Sequence, residues 1–315
     1  MASDPPASQV TVSAQISVAE VEAARIFDVL SENFDSTDAA VTASDDRDGQ
    51  WTISLHFREP PNETAVHAVV ALVAGAETAN ALRFETVGPK DWVAASLAGL
   101  SPVAAGRFVV HGAHDRARVP RNRIGIEIEA ALAFGTGHHG STRGCLIALD
   151  RIARQRRHRG RVNARVLDIG TGSGVLAIAA ARALRCSVLA SDNDRAAVRA
   201  ARANARLNRA GALTEVLQAE GLCARRFRER APFDLILANI LLTPLKRLAA
   251  PMARLSAANG MIVLSGLLTA QSNAALAAYR RRGFVLDRRI SREGWATLVL
   301  RHSRQRAVAA RSRRQ

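Results

Sequence analysis

The stretch Arg165–Ala180, RVLDIGTGSGVLAIAA, constrains the chain more than any other. An apolar run (Val166, Leu167, Ile169) leads into Gly170, Gly172 and Gly174, and then into the helix formers Leu176–Ala180. A strand, a glycine turn and a helix N-terminus in that order make a ligand-binding loop of the nucleotide type. The glycines supply the turn, admit a ligand close to the backbone and let the helix pack on the strand. The spacing is G-x-G-x-G, and Val175 stands where a dinucleotide fingerprint wants its third Gly or Ala. Asp168 precedes the first glycine by two residues, where an acid suits an ammonium group better than a pyrophosphate. S-adenosylmethionine carries an amino-acid end in place of phosphates, so the loop reads as a methyl-donor site ahead of a dinucleotide site.

A chain of 315 residues has room for two domains. No run of ~18 apolar residues occurs, so no membrane span is expected. MASDPPASQ has neither the basic nor the apolar region of a signal peptide. Cys145, Cys186 and Cys223 are odd in number and lack a C-x-x-C pair, which points to a reducing cytoplasm without disulfides or a zinc site. The net charge of +16 is unevenly placed. Residues 1–130 hold 10 basic against 18 acidic residues, and residues 131–315 hold 34 against 10. Forty-two of the 44 basic residues are Arg, so a coding bias accounts for much of this. An acidic N-terminal half would also attract a basic partner, and the basic half would tolerate RNA nearby.

The first domain is expected over residues 1–88. Val10, Val12, Ala14 and Ile16 alternate with polar residues as a half-buried strand. Ser17 and Glu20 form a capping-box pattern that predicts a helix start, with Ala23, Ile26, Phe27, Leu30 and Phe34 on its core face. A strand near Ala40–Ala43 follows, then the clear alternation Trp51, Ile53, Leu55, Phe57. Asn62 caps a second helix carrying Val66, Val69, Val70 and Val73, and Leu82, Phe84 and Thr86 alternate on a last strand. The order β-α-β-β-α-β predicts a ferredoxin-like α+β domain. His56 and His67 fall in this domain as ordinary surface residues rather than ligands.

A linker helix is expected over 89–100 and a second domain over 101–301. Phe108–Val110 and Ile124–Ile128 read as strands. Ala133–Cys145, AFGTGHHGSTRGC, is too glycine-rich for a core and leads into a helix over Thr142–Ile152. Arg151–Arg165 contains seven Arg and no acid, a solvated face. Strands at 166–169, 187–191, 215–218, 234–238 and 261–264 then alternate with helices at 195–208, 244–255 and 271–281. Two further strands, 284–288 and 295–300, complete a seven-stranded α/β sheet of the class I methyltransferase, Rossmann-like kind, whose last strand is antiparallel. Residues 302–315 read as a basic disordered tail suited to non-specific RNA contact.

Asp192 ends the second strand, 22 residues after Gly170, the place for an acid that accepts from ribose hydroxyls. Asp194 fits better as a helix cap. Asn239 ends the fourth strand and would face the crevice, where its amide can accept from an amine without adding charge. A plain helix cap is the alternative for Asn239.

Residues 133–142 (AFGTGHHGST), 168–174 (DIGTGSG), 192–194 (DND), 237–245 (LANILLTPL) and 264–267 (LSGL) resemble the PrmA methyltransferases. The resemblance covers most of residues 90–301, and the N-terminal domain resembles that family's substrate-recognition domain. It implies an S-adenosylmethionine-dependent enzyme that methylates lysine side chains and the N-terminal amine of the large-subunit ribosomal protein L-eleven. It further implies that Thr142, Gly170, Asp192 and Asn239 contact the cofactor, beside Asp168, Gly172 and Gly174 of the loop, and that 133–145 lies over it. Asn239 is the one residue assigned a catalytic role; no metal is expected, and the enzyme is expected to act as a monomer. The family's Thr-His-Pro-Thr-Thr reads His138-His139-Gly140-Ser141-Thr142 here. A methyltransferase acting on another protein or on RNA, and a non-catalytic RNA-binding assembly factor, are the competing readings. The Asn/Asp-Pro-Pro-Tyr usual at the fourth strand of glutamine and base methyltransferases is absent.

Overall fold

The computed structural model describes residues 11–34, 39–45, 50–57, 59–87, 102–128, 140–160 and 164–303. The expected linker helix, the loop segment 131–139 and the tail from 304 onward lie outside them. The chain divides into two compact units, Met1–Gly99 and Leu100–Gln315.

The first unit comprises β1 (Thr11–Ala19), α1 (Glu20–Asn33), β2 (Ala39–Asp45), β3 (Gln50–Phe57), α2 (Glu63–Asn80) and β4 (Arg83–Val87). Its sheet order is β2-β3-β1-β4, all pairs antiparallel, the ferredoxin-like arrangement. Alternation along β1 and β3 buries Ala14, Ile16, Trp51, Ile53, Leu55 and Phe57 against Ile26, Phe27 and Leu30 of α1. Asn62 caps α2 by accepting from the Ala65 N–H at 3.2 Å. Ser17, expected as the N-cap of a capping box with Glu20, is not the N-cap. The strand runs on through Ala19, which is the N-cap and makes no side-chain cap bond, and the Ser17 hydroxyl pairs across the sheet with Thr52 at 2.8 Å. Cross-strand pairing outcompeted the local cap.

The second unit opens with β5 (Val103–Ala105), β6 (Phe108–His111) and β7 (Ile124–Glu127), a small three-stranded sheet with β6 and β7 parallel. A long helix α3 (Gly140–His158) then precedes β8 (Val166–Ile169), α4 (Val175–Leu184), β9 (Val188–Asp192), α5 (Arg195–Leu207) and β10 (Thr214–Gln218). The chain continues through α6 (Arg225–Arg230), β11 (Phe233–Asn239), α7 (Leu242–Leu255), β12 (Ser256–Leu268), α8 (Ser272–Arg280), β13 (Phe284–Arg292) and β14 (Trp295–His302). Helix α3 outruns the expected 142–152 because Arg156, Arg157 and His158 in its last turn complement the carbonyl end of the helix dipole.

The seven strands lie in the order β10-β9-β8-β11-β12-β14-β13, with β14 alone running against the other six. Successive residues of one strand serve different cores. Leu235, Leu237 and Val263 pack with α3 and α4 on one face, and Ile236, Ala238 and Ile262 with α7 and α8 on the other. Burial on both faces explains why these strands read as unbroken apolar runs. The chain steps from β8 outward through β9 and β10, then returns to β11 on the other side of β8. That reversal is the switch point where a crevice opens beyond the strand carboxyl ends.

Candidate active site

The register aligns the expected residues at one end of the sheet. Ile169 pairs with both Ser191 and Ala238, so Gly170, Asp192 and Asn239 emerge together, and Asn239 lies beside Ser265 of β12. Gly170, Gly172 and Gly174 have φ of +65°, +53° and +84°, the left-handed region that a Cβ disfavours. At Gly170 a Cβ would also run into Ile240 Cγ2, and at Gly174 it would press on Ala201 Cα of α5 at 3.1 Å. These two glycines therefore serve the turn and the close approach of its neighbours.

The turn is held by its own neighbours. The Thr171 N–H donates to Ser191 O at 3.0 Å, and the Gly174 N–H to Thr171 O at 2.8 Å. Asp192 Oδ2 accepts from the Gly172 N–H at 2.9 Å while its Oδ1 accepts from the Asp194 N–H at 3.1 Å. Asp192 is thus half-buried and still has lone pairs to offer hydroxyls outside the turn. Asp194 caps α5 through a 2.7 Å bond from the Ala196 N–H.

Asp168 is buried, with Oδ2 accepting from the Thr171 hydroxyl at 2.7 Å and Oδ1 without a hydrogen-bond partner. Burial pushes its carboxyl up to about 7, against the downward pull of the Thr171 hydroxyl and the Ala177 N–H. Asn239 donates its Nδ2 to Thr142 Oγ1 at 3.2 Å, and its Oδ1 is a second buried acceptor without a partner. Thr142 is 1% exposed in the first turn of α3. The geometry thus brings together Thr142, Asp168, Gly170, Gly172, Gly174, Asp192 and Asn239.

Residues to which the sequence assigned no individual role complete the site. Ser265 is fully buried, its one hydroxyl proton within reach of Ser141 O (3.2 Å) and Ala296 O (3.0 Å), and its Oγ lies 2.9 Å from the Thr297 hydroxyl, either of the two able to donate. This cluster ties the start of α3 to β12 and β14 behind Asn239. Cys145 shares it, and burial pushes its thiol up to about 12, so it stays a neutral packing group. Gly266, at φ +78°, lets β12 pass the backbone of Ile240, which a Cβ would meet at 2.5 Å. Among the described residues no group of three or more His, Cys, Asp or Glu could hold a metal ion.

A seven-stranded sheet in this order, with a glycine turn, a second-strand acid and a fourth-strand amide at its switch point, defines the class I methyltransferase fold. The comparisons with known proteins narrow the class. The model of the ribosomal protein L11 methyltransferase (PrmA) family matches residues 8–303. The ribosomal protein L11 methyltransferase of Rhodopseudomonas palustris is 54% identical over 281 residues, 89% of this chain and 94% of that protein. That of Bradyrhizobium diazoefficiens is also 54% identical, over 90% of this chain and 94% of its own length. The crystal structure of the ribosomal protein L11 methylase from Lactobacillus delbrueckii subsp. bulgaricus superposes with a TM-score of 0.54 at 26% identity, covering 65% of this chain and 100% of that one. The chain belongs to the ribosomal protein L11 methyltransferase (PrmA) family.

Proposed function

We propose that this enzyme binds S-adenosylmethionine in the switch-point crevice and methylates amines of ribosomal protein L11, its lysine side chains and its N-terminal amine. One observation carries the cofactor reading: two buried acceptors without partners, Asp168 Oδ1 and Asn239 Oδ1, flank the glycine turn. An anionic acceptor beside glycine backbone fits a cationic amino-acid end, and the half-buried Asp192 carboxylate fits ribose hydroxyls. A pyrophosphate at the glycine turn would meet the Asp168 carboxylate as a repelling charge. When bound, S-adenosylmethionine supplies a sulfonium-activated methyl group.

The chain's own residues manage the acceptor. At pH 7 fewer than about one lysine in 10³ is neutral, given an ordinary pKa near 10.4. Asn239 Oδ1 can accept an N–H of the incoming amine without a negative charge, so it orients the nitrogen while giving its ammonium form no ion pair. Thr142 fixes the amide by taking the Nδ2 bond. The Ser265–Thr297 cluster holds Thr142's helix from behind. No side chain in the crevice is needed as a proton acceptor, and rate enhancement comes from positioning.

The substrate assignment rests on family membership and on the first unit. An antiparallel sheet with helices on one face, in the acidic part of the chain, suits a basic ribosomal protein. Among the described residues no helix is long and apolar enough to cross a membrane, in keeping with a cytoplasmic reaction. The test supplies methyl-labelled S-adenosylmethionine to a mixture of unmethylated ribosomal proteins and ribosomal RNA. Label in L11 supports the reading; label in RNA or in another protein alone refutes it.

A further inference from the structure

The seven-stranded unit holds a second recess, at the other end of the sheet from the glycine turn. A cavity of about 570 Å³ is lined by Ile152, Arg156 and Arg159 of α3, Met261 of β12, and Arg301 and His302 of β14. Met261 precedes Ser265 on β12 by about 13 Å of strand, and Arg156 follows Thr142 on α3 by about 21 Å of helix. Two elements therefore carry the methyl-transfer crevice at one end and this recess at the other.

Three guanidiniums and an imidazole line the cavity and no carboxylate does. The nearby acids hold these arginines loosely: Arg156 Nη2 is 3.9 Å from Asp234 Oδ1, and Arg301 Nη2 is 3.5 Å from Asp287 Oδ1. Arg156 Nε is buried without a hydrogen-bond partner, and among the described residues no ion pair engages Arg159. The adjoining sequence offers no acid either, since 161–163 reads Arg-Val-Asn and 304–315 holds five Arg and no Asp or Glu. The carbonyl end of α3 contributes about half a negative charge here, which three guanidiniums outweigh.

The rest of the lining is apolar and flat. Ile152 and Met261 supply aliphatic surface, and Val285 is 42% exposed at the rim. The His302 ring stacks on buried Phe284 with centroids 4.7 Å apart, which makes it the outer plate of the pair. The volume falls within the range of about 300–1,000 Å³ for small-molecule sites, well beyond what a lone phosphate fills. We infer that this recess binds a nucleotide, its phosphate on Arg156, Arg159 and Arg301 and its base against His302 and the aliphatic wall. Cationic forks for the phosphate and a flat plate for the base are what such a ligand requires. The site stands independently of the methyl-transfer reading.

The test titrates the full chain with fluorescent AMP and with a labelled short single-stranded RNA, using inorganic phosphate as competitor. The Arg159→Glu/Arg301→Glu variant is expected to lose about tenfold or more in nucleotide affinity. Arg206→Glu/Arg228→Glu, which makes the same charge change at exposed positions elsewhere, is expected to stay within about twofold. Binding of AMP as tightly as RNA identifies a free nucleotide, and binding of RNA uncontested by AMP identifies a nucleotide within a strand; both support the site. Equal losses in both variants, competition by phosphate as strong as by AMP, or no binding of either probe overturns it. Photocross-linking of a thionucleotide to the unaltered protein checks the same point without substitution. Adducts on peptides spanning 152–159 or 285–303 support the recess, and adducts confined elsewhere refute it.

Discussion

Asp168 should make cofactor affinity depend on pH in a direction fixed by its burial. Its carboxyl sits at about 7 because the buried charge is desolvated, while the Thr171 hydroxyl relieves only part of that cost. A ligand ammonium beside Oδ1 favours the ionised form, and an opposite charge at such range lowers a carboxyl by about 1–3 units. Taking about two units, proton linkage makes binding about 25-fold weaker at pH 5 than at pH 7, close to 2 kcal/mol. An α-amine titrates near 7.7–8.0, so the ligand stays cationic across that window and affinity levels off above it. S-adenosylhomocysteine, which carries the same amino-acid end and does not turn over, is titrated calorimetrically at each pH. Affinity should rise from pH 5 to 7 with a proton released on binding. Asp168→Asn should bind at about the wild-type pH 5 level at both pH values. Equal wild-type affinity at the two pH values, or an unchanged pH dependence in Asp168→Asn, would show that the Asp168 carboxyl does not meet the ligand ammonium. Stability of the unliganded protein runs the other way. The folded pKa lies above the unfolded one, so the stability tied to Asp168 is present below about pH 4 and lost as pH rises through 7.

Three further outcomes follow from the same geometry. Asn239→Asp should cut methyl transfer at pH 7 by about a hundredfold and move the pH–rate profile upward, because a carboxylate holds the acceptor amine as ammonium; a profile that stays in place counts against an orienting amide. Gly170→Ala should cost about 2 kcal/mol, near 6 °C in Tm, through its φ of +65° and the collision with Ile240 Cγ2. Adding Ile240→Ala should return the steric part, and no recovery would place the cost elsewhere. Removing residues 1–88 should abolish transfer to protein while leaving S-adenosylhomocysteine binding within a few-fold; lost cofactor affinity would contradict a separate recognition unit.

The parts of this fold that could be read in the sequence are those governed by local periodicity. The runs in β8, β9 and β11 are apolar because both faces are covered, and their ends place Asp168, Asp192 and Asn239 without reference to anything distant. Alternation in β3 was equally plain. What escaped depends on pairing between remote segments. Ser17 and Glu20 carry a valid capping pattern, yet Thr52, 35 residues away, draws Ser17 into the sheet. The parallel pairing of β6 with β7 leaves no local mark. The six-residue α6 contains four Arg and looks like a solvated charge run; Arg226 and Arg230 anchor it on Glu215 at 2.6 and 2.8 Å. Ser265 and Thr297 resemble ordinary polar positions on strands, and only the fold shows them fully buried behind Thr142. The second role of Asp192, accepting from the Gly172 N–H to shape the turn, was likewise hidden until the strands were aligned.

If this crevice delivers methyl groups to amines of ribosomal protein L11, the product carries them. The most direct test is the intact mass and peptide map of purified, unmethylated L11 after incubation with S-adenosylmethionine and the enzyme. Mass gains in whole methyl steps are expected on lysine side chains and the N-terminal amine, with the gains much slower for Asn239→Asp. An unchanged L11 mass, while the enzyme demonstrably binds the cofactor, would contradict methyl delivery to L11.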